Sequence, residues 1–482
     1  MKLTSIAWVA LLSTYFLASV AAGLAAERPN VVLVLADDLG YGDLHCYGEK
    51  VTQTPNLDRF ATEGLRLTSC YAGHPNCSPS RTALMTGRTP TRVGVRNWIP
   101  EDSTMHLRQS EITIARLLKT AGYATCHVGK WHLNGAFNKP TQPQPGDHGF
   151  EHWFSAQNNA IPSHKNPNNF VRNGQPVGEL EGYSAHLVAD EALRWLKSGR
   201  DAAKPFFLYV CFHEPHEPIA SDEKYSKLYP SADATFSAHH GNVTQMDDAF
   251  GRLMRGLDEL NLRDTTFVMF TSDNGPAITP RHPHGSAGPL RDKKGSVYEG
   301  GIRVPGMIRW PGKATPGSTS DEPVCGVDFL PTVCEVTGIQ VPADRKIDGA
   351  SLLPALSGGS VRRTTPLYWH FNHAFNGPLV ALRSGDWKIL ATLDKPPHVG
   401  TAITPEGEAE FKAAELKDFQ LYNLASDIGE KHDLATEQPA KLSEMRQLLA
   451  AKYHEVRGES PTWPAWTPPP PPGKKNAPGK KK

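Results

Sequence analysis

Cys77 is followed by Ser78, Pro79, Ser80 and Arg81, and then by Thr82-Ala83-Leu84-Met85-Thr86-Gly87. A serine that can cap, a proline suited to the first helical position and a glycine suited to a left-handed end predict a short helix capped by Ser78. Cys77 then stands at the positive end of that helix with Arg81 one turn on, a setting that promotes cysteine chemistry. Taken alone, a cysteine before a helix is more often a buried structural residue. Elsewhere Asp37 and Asp38, Lys130 and His132, His213 and His216, and Asp273 and Asn274 lie close together in pairs. Asp37, Asp38, Asp273 and Asn274 make a set of hard oxygen donors, suited to Ca²⁺ or Mg²⁺ rather than zinc or copper. Three carboxylates gathered in a partly dry site repel one another, which predicts something cationic between them.

Each pair stands at the end of an apolar run. Residues 30–36 form a continuous run rich in valine and leucine, which suits a strand buried on both faces of a mostly parallel sheet, and Asp37 and Asp38 close it. Residues 124–128 lead to Lys130 and His132, 206–212 to His213 and His216, and 266–271 to Asp273 and Asn274. Helical patterns lie between them at 56–63, 111–120, 186–197 and 243–260. Strand and helix alternate, so the class is α/β, with a large, mostly parallel central sheet flanked by helices. In such open sheets the site lies beyond the carboxyl ends of the strands. Four ends that each deliver ionisable residues therefore predict one shared site.

The stretch Cys77-Ser78-Pro79-Ser80-Arg81 resembles the Cys-x-Pro-x-Arg signature of the type I sulfatases, and residues 82–88 are similar to its continuation. The likeness runs from about Arg28 to Arg457 through separate motifs in the family's order. It implies an alkaline-phosphatase-like fold and conversion of Cys77, by a separate formylglycine-generating enzyme, into formylglycine (3-oxoalanine), whose hydrate is the nucleophile. Residues 33–42 and Ser272-Asp273-Asn274-Gly275 are similar to the family's two metal-binding segments. The resemblance thus implies one Ca²⁺, or Mg²⁺, held by Asp37, Asp38, Cys77 in its modified form, Asp273 and Asn274.

Gly129-Lys130-Trp131-His132 resembles the segment whose lysine contacts the sulfate and formylglycine oxygens and whose histidine takes a proton from the hydrate. In the next motif both His213 and His216 precede an acidic residue and a proline. Counting from Phe206-Phe207-Leu208-Tyr209, the family's leaving-group histidine falls on His216, with His213 as the substitute. Leu290-Arg291-Asp292-Lys293-Lys294-Gly295 resembles the stretch ending in the family's sulfate-binding lysine. Asp292 and Lys293 replace its usual pair of small residues, and the role falls on Lys294 rather than Lys293. Arg81 is implied to orient the hydrate and balance charge. The implied reaction is hydrolysis of a sulfate ester with S–O cleavage, on a sulfated glycan in preference to a small aryl sulfate. A phosphate or phosphonate ester hydrolase of the same superfamily and a non-catalytic polysaccharide-binding relative are the alternatives.

Composition sets the outer limits. The 482 residues carry 51 basic against 50 acidic side chains, a net charge of +1 that gives a nucleic-acid partner no support. Residues 1–26 read as a signal peptide, with Lys2, an apolar stretch at 6–20 and small residues at 21–26. No later segment is long and apolar enough for a membrane span, so export to a periplasm or out of the cell is expected. Residues 27–360 are expected to form the catalytic domain. Short strands at 366–371, 380–383, 387–390 and 420–424 and a helix at 439–453 predict a smaller C-terminal domain over 361–459, an antiparallel sheet with a packing helix. Residues 460–482, rich in proline and lysine, read as a disordered, basic tail.

Apart from Cys77 six cysteines remain, and spacing favours no pair except Cys325 with Cys334. Asn-x-Ser/Thr sequons stand at Asn76 and Asn242. Residues 135–182, 394–417 and 370–373 are expected to line the entrance to the site.

Overall fold

The computed structural model describes residues 28–374, 377–395 and 400–469; the expected signal segment and the end of the Pro/Lys-rich tail lie outside them. Ten strands form the central sheet, in the order Ser318–Ser320, Leu65–Leu67, Gly306–Arg309, Thr266–Ser272, Asn30–Asp37, Phe206–Pro215, Ala124–Lys130, His152–Ala156, Val171–Arg172 and Gln175–Pro176. From Thr266–Ser272 to His152–Ala156 the neighbours run parallel. Antiparallel pairings occur only toward the two sides.

Alternation along the strands explains why the central runs are apolar throughout, because successive side chains point to opposite faces and both faces are covered. Val32, Val34, Leu208, Val210 and Phe270 pack with Val188, Val243, Met246 and Phe250 on one face. Val31, Leu33, Phe207, Tyr209 and Met269 pack on the other with Leu84, Ile114, Leu118 and Leu330. The helices Ser184–Arg194 and Ala234–Glu259 cover the first face. The second of these begins well before the expected residue 243. Its first turns lack an apolar stripe, but Asp233 accepts from the Thr235 N–H and caps it.

Gly129 shows how tightly neighbouring strands approach beneath the site. Its φ is +99°, and a Cβ there would stand 1.8 Å from the Cys211 carbonyl oxygen. Gly129→Ala is therefore expected to cost about 3 kcal/mol or more of stability, through both backbone strain and overpacking. A melting temperature equal to that of the parent protein would contradict this.

The C-terminal part is a four-stranded antiparallel sheet in the order Leu367–His370, Val380–Ser384, Trp387–Leu393 and Leu416–Asn423, with the helix Pro439–Glu459 packed on it. Buried polar contacts join it to the larger part. Trp369 Nε1 donates to the Ala72 carbonyl at 2.9 Å. Lys388 Nζ lies 2.9 Å from both Glu299 and Glu430, with all three side chains shielded from solvent. Much of the expected entrance segment 394–417 is itself packed: Pro405–Ala413 is helical, and Phe411 is buried with its ring 5.6 Å from that of His370.

Two expectations are corrected, the loose tail from residue 460 and the pairing of Cys325 with Cys334. The chain does not become loose at residue 460, because Ser460 is buried, Trp463 Nε1 donates to the Gly94 carbonyl at 2.8 Å and Trp466 bridges Ile403. The two indoles provide apolar surface that the neighbouring prolines and lysines do not. All seven cysteines are free, including Cys325, whose Sγ faces the Ala72 carbonyl, and Cys334. Both sequon asparagines are buried, Asn242 hydrogen-bonding to the Ala220 carbonyl, and so neither presents a surface acceptor. Among the described residues no helix is long and apolar enough to cross a membrane.

Candidate active site

The four strand ends converge as the sheet order requires, because Thr266–Ser272, Asn30–Asp37, Phe206–Pro215 and Ala124–Lys130 are consecutive neighbours. The helix bearing Cys77 spans Cys77–Thr86, and its cap is Asn76 rather than Ser78. Asn76 is extended and its Oδ1 accepts from the Cys77 N–H at 3.0 Å, while its Nδ2 donates to Asn97 Oδ1 at 3.1 Å. Ser78 Oγ accepts from the Ile99 N–H at 3.0 Å instead. Gly87 ends the helix at φ +67°, as expected.

The helix terminus does not make Cys77 a thiolate. Burial pushes the thiol up to about 12, and Lys130 and Lys294 offset only part of that rise. An unmodified Cys77 is thus a poor nucleophile near neutral pH.

Each carboxylate meets a cation from a different segment. Lys130 Nζ donates to Asp37 Oδ2 at 2.6 Å, Lys294 Nζ lies 2.6 Å from Asp38 Oδ1, and Arg81 Nη2 donates to Asp273 Oδ2 at 2.8 Å. Arg81 also donates to the Lys130 carbonyl at 2.9 Å. The repulsion inferred from the sequence is therefore met by three side-chain cations. Burial would raise the Asp37 and Asp38 carboxyls, but Lys130 for the first and Lys294 for the second, each helped by His216, hold them below the ordinary range. Asp273 is raised, because burial and neighbouring Asp37 outweigh Arg81.

Asp38 has a left-handed backbone at φ 65°, its N–H donates to Asp273 Oδ1 at 3.2 Å, and its Oδ1 accepts from Asn274 Nδ2 at 2.6 Å. That last contact turns Asn274 Oδ1 away as an acceptor. Asn274 Oδ1 and Asp37 Oδ1 are buried and have no hydrogen-bond partner among the described residues. Orphaned hard oxygens beside two further carboxylates fit Ca²⁺ or Mg²⁺. Donor atoms of Asp37, Asp38, Cys77 and His216 lie within 4.8 Å of one another, so the residues that would hold an ion surround Cys77.

The two histidines of the 213–216 segment part company. His216 Nε2 lies 3.6 Å from Asp38 Oδ2, and Nδ1 is 2.6 Å from the Glu217 carbonyl, which fixes a proton on Nδ1. Burial lowers its pKa, opposed mainly by Asp38. His213 is buried with its ring 5.4 Å from that of Phe170, and neither ring nitrogen has a hydrogen-bond partner among the described residues. The lysine pair divides in the same way, since Lys293 Nζ donates to the Ile278 carbonyl at 2.6 Å while Lys294 reaches Asp38.

His132 also has a left-handed backbone, at φ 53°. Its Nε2 donates to the Ile99 carbonyl at 3.1 Å, and its Nδ1 is buried without a partner. Burial, reinforced by Lys130, holds this imidazole neutral, so Nδ1 carries a lone pair able to accept a proton.

Two residues that position the site were not assigned from sequence. Asn76 was noted only as a sequon, although Asn is among the strongest capping residues and stands immediately before Cys77. Glu214 stands inside the motif that supplies His216. Its Oε1 accepts from Ser184 Oγ and from the Ala185 N–H, and its Oε2 from the His213 N–H, which pins the turn leading to His216.

Comparison with known proteins agrees with this arrangement. Residues 29–339 match the Sulfatase family, and residues 290–391 match the family described as N-sulphoglucosamine sulphohydrolase, C-terminal. N-acetylgalactosamine-6-sulfatase of Sus scrofa is 32% identical over 473 residues, covering 90% of this chain and 88% of its own. Arylsulfatase A of Homo sapiens is 34% identical over 466 residues, covering 90% of each chain. The crystal structure of Ps i-CgsB, also solved in complex with k-i-k-neocarrahexaose, superposes with a TM-score of 0.76 at 27% identity, covering 90% of this chain and 94% of its own. With matches that span the large sheet, the site and the smaller C-terminal sheet, the chain belongs to the sulfatase family and is a sulfatase enzyme.

Proposed function

We propose that this sulfatase is exported and removes sulfate from a glycan, using formylglycine made from Cys77 by a formylglycine-generating enzyme, with one Ca²⁺ or Mg²⁺. The observation that carries the reading is the grouping of Asp37, Asp38, Cys77 and His216 donor atoms within 4.8 Å, with Lys130 and Lys294 bonded to the two aspartates. As its hydrate, formylglycine supplies one hydroxyl for attack on sulfur and a second that lets sulfate depart without water attacking sulfur. Asp37, Asp38, Asp273, Asn274 and residue 77 would hold the metal, which when bound would supply Lewis-acid stabilisation of negative charge on the sulfuryl oxygens.

The remaining work falls to side chains. Lys130 and Lys294, already oriented by Asp37 and Asp38, offer N–H donors to the sulfuryl oxygens as charge grows there. His216 carries its resting proton on Nδ1, and a second proton on Nε2, favoured by Asp38, passes to the leaving alcohol oxygen as the S–O bond breaks and its electron pair moves to that oxygen. His132, with Nε2 occupied by Ile99, accepts at Nδ1 the proton of the second hydroxyl as that hydroxyl's electrons re-form the carbonyl and sulfate leaves with the C–O electron pair. Arg81 is locked between Asp273 and the Lys130 carbonyl and keeps the two strand ends in register with the helix of Cys77. In sum, a sulfate monoester and water give an alcohol and inorganic sulfate.

The glycan assignment is supported by relatives named for an N-acetylgalactosamine sulfate and by a structural neighbour solved with a carrahexaose. The signal-like residues 1–26 support export. The test is a mass measurement on the Cys77 peptide, from protein made alongside a formylglycine-generating enzyme, paired with sulfate release from N-acetylgalactosamine 6-sulfate and other sulfated sugars. We expect an aldehyde in place of the thiol and sulfate release faster than phosphate release from matched phosphate monoesters. Full activity with an intact cysteine, or preference for the phosphates, would overturn the reading.

A further inference from the structure

Trp98 is the one aromatic residue among the exposed large hydrophobic side chains of the described residues, with 37% of its surface open, and it lies at the catalytic centre. Its ring centroid is 6.5 Å from that of His132, with the planes tilted by 51°. The residues on either side are buried and fastened to the site: Asn97 Oδ1 accepts from Asn76, which caps the Cys77 helix, and also from the Trp98 N–H at 2.8 Å. Ile99 donates its N–H to Ser78 Oγ and accepts at its carbonyl from His132 Nε2 and from Gln157 Nε2. A backbone held at this many points places the indole beside His132, and among the described residues it stays partly open to solvent.

An indole that is partly open beside the catalytic centre offers a flat apolar face on which a ring can rest, with its N–H free to donate at the rim. We propose that Trp98 is the platform for the leaving-group ring, stacking against the C–H face of a pyranose or the face of an aryl group while the sulfate occupies the pocket at Cys77. This rests on the proposed glycan sulfatase reading and adds the residue that recognises the ring. Because the platform is fixed beforehand, little ordering is required when the ring docks.

The test compares the parent enzyme with Trp98→Ala and Trp98→Phe on 4-nitrophenyl sulfate and N-acetylgalactosamine 6-sulfate, with inorganic sulfate as a competitive inhibitor that has no ring. Trp98→Ala is expected to raise KM about tenfold for the ring-bearing substrates, the scale of one lost stacking contact, while Trp98→Phe stays within about threefold of the parent. The inhibition constant of sulfate is expected to stay within about twofold. An unchanged KM in Trp98→Ala, or a rise in the sulfate inhibition constant parallel to that in KM, overturns the platform. Turnover of the nitrophenyl ester but of no sugar sulfate would count against the glycan reading, while the aryl arm still decides the role of Trp98.

Discussion

Stripping divalent ions with EDTA is expected to silence sulfate release by roughly 10³-fold or more, beyond what one lost oxyanion donor costs, and added Ca²⁺ or Mg²⁺ to restore it. Asp38→Ala is expected to remain inactive even with excess ion. Asp38 contributes a formal charge to the donor set and also anchors Lys294, Asn274 and His216, so its loss disturbs three side chains as well as the donor set. Folding is checked separately, because the vacated carboxylate leaves Lys294 without its partner, and Asp38→Asn preserves the shape while removing the charge. Turnover at the parent rate by protein shown by elemental analysis to be free of metal would refute the metal requirement.

The second large effect distinguishes His216 from His213. His216→Ala is expected to lose about 10²- to 10⁴-fold in turnover of a sulfate ester with a poor alcohol leaving group, the usual range for a positioned proton donor. The loss should shrink for 4-nitrophenyl sulfate, whose leaving group departs without a proton. His213→Ala should show no such dependence, because its ring packs near Phe170 and its nitrogens are not among the clustered donor atoms of Asp37, Asp38, Cys77 and His216. Four rate constants, two variants on two substrates, decide the matter. If the leaving-group dependence appears in His213→Ala and is absent from His216→Ala, the assignment is reversed.

The parts of this site visible in the sequence were those governed by short-range pattern. The buried strands ending in Asp37, Lys130 and Asp273 are legible because a strand covered on both faces has to be apolar throughout, and a polar residue just past its end then stands out. The helix at Cys77 was legible but its cap was misplaced, since Asn76 and Ser78 are both good caps and only the extended backbone of Asn76 decides between them. The neutralisation of Asp37, Asp38 and Asp273 by Lys130, Lys294 and Arg81 was not legible, because each pairing spans a long stretch of chain that pattern does not reach. Trp463 and Trp466 lay in a segment whose proline content masked two residues with somewhere to dock. The entrance role expected for residues 394–417 was inferred from loop length, whereas Phe411 gives that segment a buried anchor.

Lys388 lies between Glu299 and Glu430, and Glu299 follows Lys294, the partner of Asp38, by a single short turn. Glu299 also takes hydrogen bonds from Tyr71 Oη at 2.6 Å and from Arg303 Nη1 at 3.2 Å. Replacing Lys388 alone leaves this buried carboxylate with Arg303 as its remaining cation in the larger part, and breaking a buried pair in that way typically costs about 3–5 kcal/mol. In this chain the small sheet is thus part of what balances charge beneath the segment carrying Lys294, and removing it or replacing Lys388 alone is expected to destabilise the larger part as well.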